Sequence, residues 1–260
     1  MKKIFTAILF ILVCANVFAQ KQIVNYLTTF DEKLIHFGFT LGYNMLDFNV
    51  LNYNPIGENP DFIANPDDNL QITSESIVRS DLETLVPGFT VGIVSSLRMT
   101  EDLDLRFLPG MSFGERKLIY NIPVYKKDTG IENLKFYSIK STFLDFPLLV
   151  KYKARRINND RPFVIFGGAY RFDLNKSANY NENTASGVED LVKLKRGGFY
   201  AEVGGGWDHY FPFFRFSVEG KFSFGLNNQL GDAPINERTY YSQSIKSLRS
   251  NIFTLSFHFE

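Results

Sequence analysis

Phe213–Asn227, FFRFSVEGKFSFGLN, reads with a strict period of two. Phe214, Phe216, Val218, Phe222, Phe224 and Leu226 fall on one side, with Gly220 filling the remaining place, and Arg215, Ser217, Glu219, Lys221, Ser223 and Gly225 fall on the other. A helix would scatter these phenylalanines around its axis, whereas an extended strand sets them in one row. The stretch is a strand with an oily side and a charged side. The pattern alone leaves the solvent open, because a soluble barrel or sandwich could put the phenylalanines in its core.

Two features outside the stretch point to a membrane. Met1-Lys2-Lys3, the apolar run Ile4–Val13 and Val17-Phe18-Ala19 before Gln20 form the basic, apolar and small-residue parts of a secretory signal, so residues 1–19 are expected to be removed and 20–260 to fold. The apolar run is shorter than the roughly 20 residues that a helix needs to cross a bilayer. Cys14, the only cysteine, lies inside this segment after Val13, which disfavours a lipoprotein site and leaves the mature chain without a thiol. That excludes disulfides, cysteine-ligated metals and cysteine nucleophiles together.

The second feature is the spacing of the strands. Alternating segments occur near 35–50, 88–99, 102–120, 138–154, 162–174, 198–209, 213–227 and 248–260. Residues 20–33 are a short lead, and the connections then run long, short, long, short, long, short, long. Outer-membrane barrels keep both ends and the short turns in the periplasm and the long loops outside, and this parity fits at every position. The expected fold is therefore all-β, an eight-stranded antiparallel transmembrane barrel. Loss of Lys2 and Lys3 leaves 26 basic against 28 acidic residues, a balance that argues against nucleic acid as a partner.

An eight-stranded lumen is just wide enough to be filled by side chains. Arg106, Asp145, Lys151, Arg171, Glu202, Arg215, Glu219 and Lys221 point inward, and their mixed signs are expected to pair into a plug because an unpaired charge there costs several kcal/mol. Phe214, Phe216, Phe222, Phe224, Phe253, Phe257 and Phe259 are expected to face lipid. Arg155, Arg156 and Arg161 crowd one periplasmic turn and are candidate contacts for a partner. Pro109 and Pro147 interrupt strands of a sheet that has no free edge, so they mark bulges or positions near the lipid boundary. Gly167-Gly168 and Gly204-Gly205-Gly206 are places for bending and close backbone approach.

Chemistry finds little purchase. His36 and His258 fall near the periplasmic ends of the first and last strands, which become neighbours on closure; a lipid-modifying activity would centre there. No Ser, His and acid converge by spacing, however, and neither these two nor His209 make a metal-ligand cluster. Asp67-Asp68 and Asp31-Glu32 read as solvated groups rather than cation ligands. No catalytic residue, cofactor or metal is expected.

His36–Gly42 (HFGFTLG), Pro87–Val94 (PGFTVGIV), Leu105–Gly110 (LRFLPG), Lys140–Leu149 (KSTFLDFPLL), Lys221–Leu226 (KFSFGL) and Leu255–Glu260 (LSFHFE) resemble the PorT proteins of Bacteroidota, called SprT in gliding members. The resemblance covers the mature chain, loops least. It implies a non-enzymatic outer-membrane barrel needed by the type IX secretion system, which exports proteins bearing a C-terminal sorting domain and supports gliding motility or virulence. Its partners would be outer-membrane lipid and other secretion components. A generic structural or adhesive barrel is the alternative with the same fold.

Overall fold

The computed structural model describes residues 24–64, 72–120, 124–126, 130–132, 135–175, 192, 194–231 and 240–260. The expected signal segment, Asp67-Asp68 and most of the third long loop lie outside them. In chain order the strands are β1 (Ile35–Asn52), β2 (Ser80–Leu85), β3 (Pro87–Arg98), β4 (Leu103–Phe107), β5 (Gly110–Tyr120), β6 (Val124–Lys126), β7 (Gly130–Glu132), β8 (Lys135–Lys153), β9 (Asp160–Asp173), β10 (Gly197–Tyr210), β11 (Arg215–Gly225) and β12 (Ile245–Phe259).

These strands make a closed wall of eight antiparallel staves, two of them broken in mid-course: β2 with β3, and β4 with β5. β12 through β8 pair in sequence, β8 pairs with both β4 and β5, these pair with β3, and β3 returns to β1, which also pairs with β12. Over the span where β1 meets β3 the ring closes on itself, while the outer ends extend past it, β2 pairing with β5 alone. That closure is what a sheet needs in a solvent that cannot hydrogen-bond. Short turns at residues 99–102, 154–159 and 211–214 lie at one end, and the long connections lie at the other.

The solvent question is answered by exposure. On β11, Arg215, Ser217, Glu219, Lys221 and Ser223 are buried, while Val218, Phe222 and Phe224 are exposed. The same inversion holds around the wall, where Phe37, Phe89, Ile93, Leu148, Val164, Phe166, Phe199 and Val203 are all exposed. An apolar band facing outward over a charged interior is stable only against hydrocarbon. Of the remaining phenylalanines expected to meet lipid, Phe214 is exposed, whereas Phe216, Phe253, Phe257 and Phe259 are half-buried by each other on the outer face. Phe216 and Phe257 stack 6.1 Å apart, and Phe222 and Phe253 lie 4.9 Å apart.

Several boundaries differ from the sequence reading. The segment 102–120 is two strands, not one, because Leu108-Pro109 leaves the ladder opposite Phe146-Pro147. Neither proline makes a bulge: Phe107 faces Leu148 and Gly110 faces Asp145, so the register resumes unshifted. The register sets Pro147 opposite Leu108 and Pro109 opposite Phe146, and the carbonyls of the two prolines are met on different sides, Pro147 by Leu108 N–H at 3.2 Å and Pro109 by Ile93 N–H of β3 at 2.9 Å. The stretch 51–86 is not loop throughout; β1 extends to Asn52, and β2 pairs with the far end of β5. The second long loop holds the β6–β7 hairpin, β8 starts at Lys135 rather than 138 and β12 at Ile245 rather than 248. These outer extensions are held by cross-strand pairing. β11 is shorter than 213–227, because Phe211–Phe214 forms the turn, with Phe211 N–H bonded to the Phe214 carbonyl.

Glycine matters where the wall is tightly curved. A Cβ on Gly204 would stand 2.3 Å from the Gly220 carbonyl oxygen, whereas one on Gly220, on the outer face, would meet nothing within 4 Å. We expect Gly220→Ala to leave the temperature of heat-modified migration on gels unchanged and Gly204→Ala to lower it. Phe222→Arg should destabilise the barrel in lipid by about 2–4 kcal/mol, measured by urea unfolding in vesicles; no change would mean that this face does not meet hydrocarbon.

Candidate functional site

The lumen is built by the inward position of every second residue. At its periplasmic end Arg215 on β11 bonds the Glu260 carboxylate, and Arg106 on β4 bridges Glu219 at 2.8 Å and Glu260 at 3.3 Å. Lys151 on β8 places its ammonium 2.7 Å from Asp208 on β10, and Lys153 does the same to Asp104 on β4. One layer further out, Arg171 on β9 clamps Asp145 at 3.0 Å and Glu202 at 2.5 Å, while Lys221 holds the other oxygen of Glu202 at 2.9 Å. Ser112 donates a short hydrogen bond to Asp145.

All eight residues assigned to the interior from sequence are buried, and each is joined to an opposite charge. Asp104, Lys153, Asp208 and His258, which share the inward parity in sequence, and Glu260 join the network beyond the eight expected there. Glu260 is the informative omission, since it continues the inward parity of Thr254, Ser256 and His258. Its signal was present, hidden by its place at the end of the chain. Aromatic faces support the cations: Lys151 lies 3.7 Å over Phe163 and Arg171 lies 4.5 Å over Tyr200.

Toward the outer end the lining turns apolar. Leu46, Phe143, Ala169, Tyr200 and Ile252 form one cluster, beside which Arg116 lies 4.1 Å over Phe48 and bonds Ser250 at 2.9 Å and Ser141 at 2.5 Å. Above it Phe48, Ile56, Val78, Leu118, Val192, Tyr240, Tyr241, Ile245 and Leu248 pack into a cap. The long connections therefore seal the outer mouth with a small hydrophobic core. Between the layers is a cavity of about 30 Å³, lined among others by Thr40, Glu219, Lys221 and His258.

The inner mouth is closed by the lead. Phe30 stacks on His36 at 4.2 Å and lies beneath the Arg215 guanidinium at 4.9 Å. Asp31 accepts from the Tyr210 hydroxyl at 2.7 Å and from Arg161 at 3.1 Å, and Arg215 approaches it at 3.5 Å. Asn159 pins the backbone of Val24 and Tyr26, and Arg156 bonds the carbonyls of Tyr26 and Leu27 while stacking 3.8 Å over Tyr210. Asp31 is thus part of the floor rather than a solvated group.

The same contacts correct the expected periplasmic patch. Arg161 is buried and saturated by Asp31, Asp102, Glu101 and Ala154, and Arg156 is spent on the lead. Only Arg155 remains exposed. A run of arginines in a turn looks uniform in sequence, but the strand parity at Arg161 turns it into the lumen. The histidines do not converge either. His258 stands opposite Thr40 with its ring 3.3 Å from Glu219, His36 packs under Phe30, and among the described residues no serine or threonine hydroxyl bonds either ring. Among the described residues there is also no metal-holding cluster of His, Cys, Asp and Glu.

Glu219→Gln leaves Arg106 with one fewer anion in a dry interior and should cost about 3–5 kcal/mol. The double change Arg106→Met with Glu219→Met should recover most of that loss, followed through the single tryptophan, Trp207. Acid should loosen the floor. Burial raises the Asp31 carboxyl, but the Tyr210 hydroxyl and the charges of Arg215, Lys153 and Arg161 outweigh it and hold the group below its ordinary value. A depressed carboxyl contributes stability that is complete above its unfolded value, about 3.9, and is lost as pH falls through the lower folded one. Amide exchange in residues 26–32 should therefore rise as pH drops below about 4, and Asp31→Asn should show the raised exchange at neutral pH.

The family model described as outer membrane protein beta-barrel domain matches residues 18–231. A comparison with curated proteins finds no match. Similar solved structures include the N-terminal β-barrel domain of OprF from Pseudomonas aeruginosa, at 12% identity over 84% of this chain and 96% of that one with a TM-score of 0.30. OprG from Pseudomonas aeruginosa has 9% identity, 87% and 93% coverage and a TM-score of 0.41. Ail, the attachment invasion locus protein of Yersinia pestis, has 9% identity, 87% and 98% coverage and a TM-score of 0.33. With the closed wall, the apolar exterior and the match over residues 18–231 together, the chain belongs to the outer membrane protein beta-barrel domain family and resides in the outer membrane.

Proposed function

We propose that this barrel works through its surfaces, as a non-enzymatic docking or assembly component of the type IX secretion system. The observation that carries the reading is the filled lumen: among the described residues a floor, two ion-paired layers, an apolar layer and a cap follow one another along the barrel. A lumen filled with paired side chains favours action through the loops and periplasmic turns.

The segments that resemble PorT support the secretion role, and some of them supply residues of the plug. Lys140–Leu149 carries Asp145, the partner of Arg171, and Leu255–Glu260 carries His258 and Glu260, which meet Glu219, Arg106 and Arg215. Exposed Arg155 is the remaining candidate for a periplasmic contact. A structural or adhesive barrel is the competing reading, favoured by the apolar core that organises the external cap.

Deletion of the gene should stop export of a type IX cargo, while the purified protein should give no conductance steps in a planar bilayer. Normal export would remove the secretion role and leave the structural one; stable conductance would overturn both.

A further inference from the structure

The outer wall carries a row that the lumen does not explain. Following the pairing across strands, Phe39 faces Phe259, Phe259 faces Phe216, Phe216 faces His209 and His209 faces Asp160. The first three are an aromatic belt of the kind that sits at a membrane boundary. The last two break it with a carboxylate and an imidazole, each side chain 40% exposed.

This polar notch is ordered. His209 Nδ1 lies 2.7 Å from Asp160 Oδ1, and the indole N–H of Trp207 donates to the same oxygen at 2.8 Å. Among the described residues no donor engages Oδ2. Phe211 meets the His209 ring edge-on at 4.7 Å and stacks on Phe214 at 5.0 Å, so the carboxylate stands in an aromatic surround. The strand outward from it presents Val164 and Phe166, both exposed on the lipid side. Asp160 itself opens β9 directly after a short turn, which puts it on the periplasmic side of the bilayer.

An acid at that level repels phosphate and attracts a cation that can donate hydrogen bonds, and the neighbouring rings tolerate an ammonium. We propose that Asp160, positioned by Trp207 and His209, binds the primary ammonium headgroup of a zwitterionic phospholipid in the periplasmic leaflet. The membrane is the occupant because the notch opens sideways from the wall between lipid-facing residues. The site does not depend on the secretion role.

The test uses the full chain in nanodiscs of phosphatidylcholine with equal admixtures of phosphatidylethanolamine and phosphatidylglycerol, with bound lipid read by native mass spectrometry. Phosphatidylethanolamine should be retained about three- to fivefold over the other two. Asp160→Asn, which keeps the acceptor for Trp207 and His209 but removes the charge, should abolish the preference, with folding checked by gel migration. Trp207→Phe should weaken it less. Equal retention of the three lipids, a preference for phosphatidylglycerol, or full retention by Asp160→Asn would overturn the proposal.

Discussion

A charge sealed inside a narrow cylinder must find its opposite within a few ångströms, and much of this protein follows from meeting that demand. Removing an ion from water costs several kcal/mol even after relaxation, and only a close, hydrogen-bonded partner offsets it. Here the partners come from different staves: Arg106 on β4 reaches β11 and the chain end, Lys151 on β8 reaches β10, and Arg171 on β9 reaches β8 and β10. Arg171 ties neighbouring staves together, and Arg106 reaches across the lumen. A shift of one residue in any stave would send its charges into lipid and its phenylalanines inward, so the ion pairs and the apolar belt enforce the same register.

The two mouths are closed by different physics. At the periplasmic side a single acid, Asp31, is drawn under Arg215, Arg161 and Tyr210, and Phe30 is carried with it into the opening. The outer side is closed differently, above the buried Arg116. Distant loop residues such as Ile56, Val78, Tyr240 and Tyr241 instead bury one another over the rim. The floor is thus sensitive to acid and to its arginines, and the cap answers to the burial of apolar surface.

The wall shows how a closed sheet absorbs residues that an open one would park on an edge. Pro109 and Pro147 each lose a donor without displacing the register, and their carbonyls are still met, by Ile93 on β3 and by Leu108. Glycines lie where a neighbouring carbonyl presses closest, as at Gly204 against Gly220. Neither feature is a defect in a fold whose curvature has to be concentrated somewhere.

The alternation of Arg215, Ser217, Glu219, Lys221 and Ser223 with Phe216, Val218, Phe222 and Phe224 was enough to determine a strand and its two faces, and the long and short connections set the number of staves and the side of the membrane on which each turn lies. A period of two is local, and side chains obey it wherever the backbone goes. Which acid meets which base was beyond its reach, because Asp208, Glu260 and Asp31 are distant from Lys151, Arg106 and Arg215 in the chain and come together only when the ring closes. The periplasmic arginines make the same point: Arg155, Arg156 and Arg161 are alike in sequence, yet one is exposed, one grips the lead and one lies in the lumen. Pairing across a closed surface is a property of the whole circumference, so only the assembled barrel could decide it.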